Sequence, residues 1–112
     1  MIEETVLNYL KRTMLNTTVT MEIRQGLPDS FVFLEKIGSS REDLLSASRF
    51  AIQSYGKSLL DAMTLNESVK TAMFGIVSEP EISAVRLNSD YNYTDLSTKK
   101  PRYQAVFEVT HY

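Results

Sequence analysis

Apolar and polar positions alternate with two different periods along this chain, and the changes of period mark its elements. From Tyr55 to Val77, Leu59, Ala62, Met63, Asn66, Val69, Ala72, Met73 and Ile76 recur at spacings of three and four. That spacing stacks them on one face of a helix. Thr64, Glu67, Ser68, Lys70 and Thr71 take the opposite side and suit water, so the segment is predicted to be an amphipathic helix lying on a partner layer. A shorter helix is predicted over Ile2 to Met14. Its apolar side is Ile2, Val6, Tyr9, Leu10 and Met14, with Glu3 and Glu4 at the start and Lys11 and Arg12 at the end, the charge order the helix dipole favours.

Elsewhere the period is two. Val19, Met21 and Ile23 alternate with Thr18, Thr20, Glu22 and Arg24, as in a strand with one buried face, until Gly26-Leu27-Pro28-Asp29 breaks it. Phe31 to Ile37 reads as a second strand, stopped by Gly38-Ser39-Ser40. The stretch from Arg41 could start as a helix, but alternation from about Ser46 to Ser54 favours a third strand leading into the long helix. That helix ends before Pro80, and Ile82 to Leu87 returns to strand, followed by the polar, tyrosine-rich Asn88 to Asp95. Tyr103, Ala105, Phe107 and Val109 define the last strand, which pairs with the one before it as an antiparallel hairpin across the polar segment Leu96 to Arg102. The order αβββαββ predicts an α+β fold with a mostly antiparallel sheet and both helices on one face. The crossover from the third strand through the long helix to the fourth could add a parallel pair and make the sheet mixed.

Composition narrows the class. A chain of 112 residues with 43% apolar and 23% charged residues fits a single folded domain spanning 1–112. The absence of cysteine excludes disulfides, thiolate metal sites and cysteine nucleophiles. No secretory pattern opens the sequence and no run is apolar enough to cross a bilayer, so the expectation is a cytosolic product without a membrane partner. A net charge of −2 from well-mixed residues argues against tight DNA binding. No internal repeat is present.

Each chemical motif has a plainer reading that fits better. Ala51-Ile52-Gln53-Ser54-Tyr55-Gly56-Lys57-Ser58 satisfies a relaxed phosphate-loop pattern between a strand and a helix. However, Ile52 and Tyr55 would fill the cradle, and no later strand supplies a metal-holding aspartate. His111 lacks the nucleophile turn and the carboxylate that a hydrolytic site needs. Asp90, Asn92, Thr94 and Asp95 open like a calcium loop, but Asp95 stands where glycine belongs and Pro101 where glutamate belongs. The adjacent carboxylates Glu3–Glu4 and Glu42–Asp43, and Glu79 and Glu81 flanking Pro80, suit helix starts and turns. Sequons at Asn16, Asn66 and Asn92 carry no weight without a secretory context. No catalytic residue, cofactor or metal site is assigned. The tyrosines Tyr91, Tyr93 and Tyr103 near Lys99, Lys100 and Arg102 could stack bases, but with Asp90 and Asp95 beside them they read better as a protein interface.

Val85 to Tyr112, together with Phe31–Glu42, Ala47–Met63 and Leu65–Phe74, resembles the tail terminator (tail completion) proteins of long-tailed bacteriophages and prophages. The most specific parts are the strand-to-helix join at Ala51–Tyr55 and the segment Arg102–Tyr112. The resemblance implies an α+β fold and a homo-oligomeric, usually hexameric ring at the head-proximal end of the tail tube. There it would stop tube polymerisation and offer a head–tail joining surface, with the tail tube protein and a head-closure or connector protein as partners. It implies a non-enzymatic virion protein, assembled in the host cytoplasm and placed at the head–tail junction, with genomic DNA passing through the lumen without specific binding. A projecting hairpin such as Asn88–Arg102, or an exposed strand edge, would supply one of the two patches a ring needs. The neighbouring reading is a head-closure or connector ring. Readings of other classes are a small nucleotide-binding protein using Gly56-Lys57-Ser58 and a monomeric adaptor binding peptide or single-stranded nucleic acid through the tyrosine-rich hairpin.

Overall fold

The computed structural model describes residues 1–112 and has, in chain order, α1 (Ile2–Thr13), β1 (Val19–Thr20), β2 (Phe31–Glu42), β3 (Leu45–Tyr55), α2 (Leu59–Phe74), a 3₁₀ turn (Gly75–Ser78), β4 (Ile82–Asn92) and β5 (Arg102–His111). This is the expected α+β order. The five strands form one mixed sheet in the order β1-β2-β3-β5-β4. Every pairing is antiparallel except β1 with β2. The parallel pair is therefore not the one a crossover through the long helix suggests. β4 runs parallel to β3, but β5 is inserted between them and hydrogen-bonds to both.

Side-chain parity explains the core. Leu34, Ile52 and Ala105 lie side by side across β2, β3 and β5, and Phe50, Phe107 and Leu87 lie across β3, β5 and β4. These rows meet Val6, Tyr9 and Leu10 of α1, Val69 and Met73 of α2 and Ile76 of the 3₁₀ turn in one buried cluster. Burying each such large side chain contributes about 1.5–3 kcal/mol. Phe74 adds an edge-to-face contact on Phe107 at 5.8 Å. Two polar contacts fix the helices: the Tyr9 hydroxyl donates to the Ala72 carbonyl at 2.7 Å, and Lys36 pairs with Glu3 at 3.0 Å.

Several boundaries differ from the periodicity, each for a local reason. The predicted strand over Thr18–Arg24 shrinks to Val19–Thr20, and Met21 and Ile23 are exposed. Thr20 Oγ1 accepts the Glu22 N–H at 3.1 Å and an Arg24 N–H at 3.0 Å, bending the chain before Gly26 at φ 87°. Threonine here offers the backbone a turn in place of a ladder. β2 continues through Gly38-Ser39-Ser40 to Glu42, because a bulge at Lys36/Gly38 absorbs the irregularity and β3 supplies partners to the tip. The long helix begins at Leu59, four residues later than the pattern suggests. Tyr55 stays in the sheet, and Ser58 caps the helix by accepting the Asp61 N–H at 3.1 Å. Leu59 and Met63, assigned to its apolar face, remain exposed, while Ala62, Asn66, Val69, Ala72, Met73 and Ile76 are buried. The tyrosine-rich stretch is itself strand as far as Asn92. No helix is long and apolar enough to cross a membrane.

Candidate interaction surface

Both helices lie on one side of the sheet, and the other side carries banded rows of side chains. At one end Phe31, Tyr55 and Arg102 align across β2, β3 and β5, with Tyr93 beside Arg102. The next row is Phe33, Gln53, Gln104 and Tyr91, across β2, β3, β5 and β4. Glu35, Ala51, Val106 and Ser89 follow, then Arg49, Glu108 and Arg86, where Glu108 pairs with Arg49 at 3.5 Å and with Arg86 at 3.3 Å. The face thus runs from aromatic through amide and small residues to charge.

One directed hydrogen-bond chain fixes the aromatic end. Arg102 Nη1 donates to the Tyr55 hydroxyl at 3.0 Å, Tyr55 to Gln53 Oε1 at 3.3 Å, Gln53 Nε2 to Gln104 Oε1 at 3.0 Å, and Gln104 Nε2 to the Tyr91 hydroxyl at 2.6 Å. Arg102 Nε donates to the Tyr93 carbonyl, and its guanidinium stacks over the Tyr93 ring at 4.5 Å. Tyr91 and Tyr93 meet edge to face at 5.9 Å. The chain of bonds is unbroken from Arg102 to Tyr91, so these side chains are held in place before any partner arrives.

Beside this end the loop 23–29 and the segment 99–101 enclose a cleft of about 840 Å³, with Phe31, Tyr55, Gly56 and Lys57 in its wall. Phe31 and Tyr55 stack at 4.4 Å within it. Its charged lining is Arg24, Lys57, Lys99 and Lys100 against the single carboxylate Asp29. At the far end of the same two strands the hairpin β2–β3 extends as an arm, every residue from 37 to 45 being exposed. Asp43 turns its tip at φ 55°.

The residues singled out from sequence divide among three places. Tyr91, Tyr93 and Arg102 converge on the open face. Asp90 lies on the helix side, where its Oδ2 accepts from Asn66 Nδ2 at 2.9 Å and pairs with Lys70 Nζ at 2.9 Å. The hydrogen bond from Lys70 holds the Asp90 carboxyl below its ordinary value, and the same contact raises Lys70. Asp95 turns the β4–β5 loop by accepting the Ser97 N–H and hydroxyl at 2.8 and 2.7 Å, bonds that lower its pKa. Lys99, at φ 58°, follows that turn and lines the cleft. Periodicity left out Tyr55, Gln53 and Gln104, which link the tyrosines to Arg102. Their only signal is an amide at the outward position of two apolar strands.

The phosphate-loop residues have structural work. A Cβ on Gly56 would lie 2.5 Å from the Ala62 nitrogen, so this glycine lets the strand end press on the first turn of α2, and Ser58 is that helix's cap. Ile52 is buried in the core and Tyr55 stacks on Phe31. His111 Nε2 bonds the hydroxyl of Ser48 at 2.8 Å, and Ser48 is buried on β3 between its two neighbouring strands. No group of three or more histidine, aspartate or glutamate side chains is placed to hold a metal ion. No protein-family model matches the chain, and no curated protein matches its sequence.

Proposed function

We propose that this chain is a structural subunit of a phage or prophage virion, a ring-forming tail terminator. It caps the head-proximal end of the tail tube, stops tube polymerisation and presents the surface that joins the head. The reading rests first on the resemblance carried by Phe31–Glu42, Ala47–Met63 and Val85–Tyr112. The structural observation that supports it best is the exposed arm 37–45, which leaves Ile37, Leu44 and Leu45 uncovered at the end of an open sheet face. A lone subunit gains nothing from an ordered apolar projection, whereas an assembly part uses one as a contact. The sheet edges are poorer candidates. β2 is bulged at Lys36/Gly38, and β4 is bulged at Ile82/Ala84 and Leu87/Ser89, devices that discourage edge-to-edge pairing. A chain of net charge −2 also suits a lumen through which DNA slides without sticking.

Electron microscopy of lysates from the parent phage or prophage lacking this gene tests the proposal. Overlong or ragged tails lying apart from filled heads are expected. Emptied heads beside tails of normal length would move the assignment to head closure, and normal infectious virions would overturn both.

A further inference from the structure

The two ends of the β2–β3 hairpin are chemically complementary. The tip is Glu42-Asp43-Leu44-Leu45, two carboxylates followed by two exposed leucines, Leu44 being 81% exposed. Asp43 takes the positive φ of the two-residue turn, and Leu44 beside it is a large apolar side chain shown to solvent with no place in the core cluster. The cleft at the other end has the opposite character: four cations against one carboxylate around the stacked Phe31–Tyr55 pair, with Leu27, Pro28 and Pro101 in its walls. Lys57, Lys99 and Lys100 form no ion pair within the chain.

We infer that the cleft receives the hairpin tip of a second copy of this chain, with Leu44 and Leu45 against the aromatic wall and Glu42 and Asp43 among the lysines. This rests on the reading that copies of the chain associate, and it names the contact. The tip cannot reach its own cleft, because the 11 residues of β3 that separate them span about 36 Å. The contact is therefore between unlike patches of identical chains, the kind that propagates from subunit to subunit and ends only by closing a ring. Docking would also neutralise the cleft's lysines, keeping them from the phosphates of passing DNA. Single-stranded nucleic acid is the competing occupant; the paired apolar and acidic character of the tip favours the second copy.

The chain has no cysteine, which makes the test clean. In the Asp43→Cys/Lys100→Cys variant, mild oxidation should yield a ladder of covalently joined chains, since a disulfide needs its Cα atoms within about 7 Å. Each single variant should give nothing beyond dimers. Glu42→Lys/Asp43→Lys and Lys57→Glu/Lys99→Glu/Lys100→Glu change only exposed residues. Each should weaken self-association about tenfold or more at low salt, and combining both sets in one chain should restore it. Self-association indifferent to both reversals, with no ladder, overturns the docking contact and leaves the ring reading standing. A wild-type chain that stays monomeric at every concentration overturns both. Binding of a single-stranded DNA oligonucleotide that is lost on reversing the cleft, while reversing the tip changes nothing, reassigns the cleft to phosphate and overturns docking.

Discussion

Gln53 and Gln104 stand directly opposite each other on β3 and β5, and the amide of one donates to the amide of the other at 3.0 Å on the sheet face that no helix covers. Both are 8% exposed, shielded by the aromatic and cationic side chains that share their hydrogen bonds. Replacing Gln104 by Ala strips Gln53 Nε2 and the Tyr91 hydroxyl of a partner and should cost about 1–2 kcal/mol in urea denaturation. The double replacement Gln53→Leu/Gln104→Leu removes both amides together. It should cost less than the sum of Gln53→Leu and Gln104→Leu made singly, and a cycle of wild type, these two single variants and the double variant measures the difference.

Gly56→Ala is expected to be among the most damaging small substitutions in the chain. The added methyl would meet backbone at 2.5 Å, and neither the end of β3 nor the first turn of α2 can give way cheaply. A loss of about 3 kcal/mol or more is expected, read as a lowered thermal midpoint. If the same residue cradled a phosphate, the substitution would abolish nucleotide binding while leaving stability alone; that result would reopen the nucleotide reading.

The Asp90–Lys70 contact makes stability fall in acid. The folded-state pKa of Asp90 is lowered from 3.8, so the carboxylate contributes fully above that value, and its contribution is lost as the pH drops through the lower folded value. Lys70 is raised from 10.5, so its share persists below that value and disappears only in stronger alkali as the pH passes the higher folded one. Urea midpoints measured from pH 6 down to pH 2 should decline, and Asp90→Asn should flatten part of that decline. An identical slope in the variant would assign the acid limb to the other carboxyls lowered in the same sense, Glu3 beside Lys36 and Asp95 in the β4–β5 loop.

Ser54 is fully buried on β3, and its hydroxyl has no hydrogen-bond partner. Ser54→Ala should therefore be neutral or stabilising, by up to about 1 kcal/mol, because the hydroxyl's desolvation brings no bond in return. Calorimetry decides it, and a clear loss of stability would mean that a water or a second chain bonds this oxygen.

Much of the fold is legible in the residues and much of the surface is not. The alternation of Tyr103, Ala105, Phe107 and Val109 and the helical spacing of Ala62, Asn66, Val69, Met73 and Ile76 predict elements that the structure contains, because one face of each is buried against a single core. Val19, Met21 and Ile23 alternate equally well, yet only the first is in the sheet, since a threonine side chain diverts the backbone. Face assignment fails at Asp90 for a different reason. The bulge between Leu87 and Ser89 inserts one residue, so Leu87 and Asp90 share the helix side although their spacing is odd. The pairing of Gln53 with Gln104 depends on register, which alternation within one strand does not specify. The arm tip centres on the turn Asp43-Leu44, and most of the cleft is built by the loop 23–29 and the segment 99–101, where periodicity carries no signal.

The position of β5 sets the order in which this molecule can become itself. β5, which follows the other four strands in sequence, lies inside the sheet between β3 and β4 and supplies Ala105, Phe107 and Val109 to the core. Until Arg102–His111 has been synthesised, two long strands lack a common neighbour and the helices have half a floor. Contacts so distant in sequence form late and slowly. A chain cut short before Arg102 therefore lacks the strand that joins β3 to β4, and with it the residues that close the core beneath both helices.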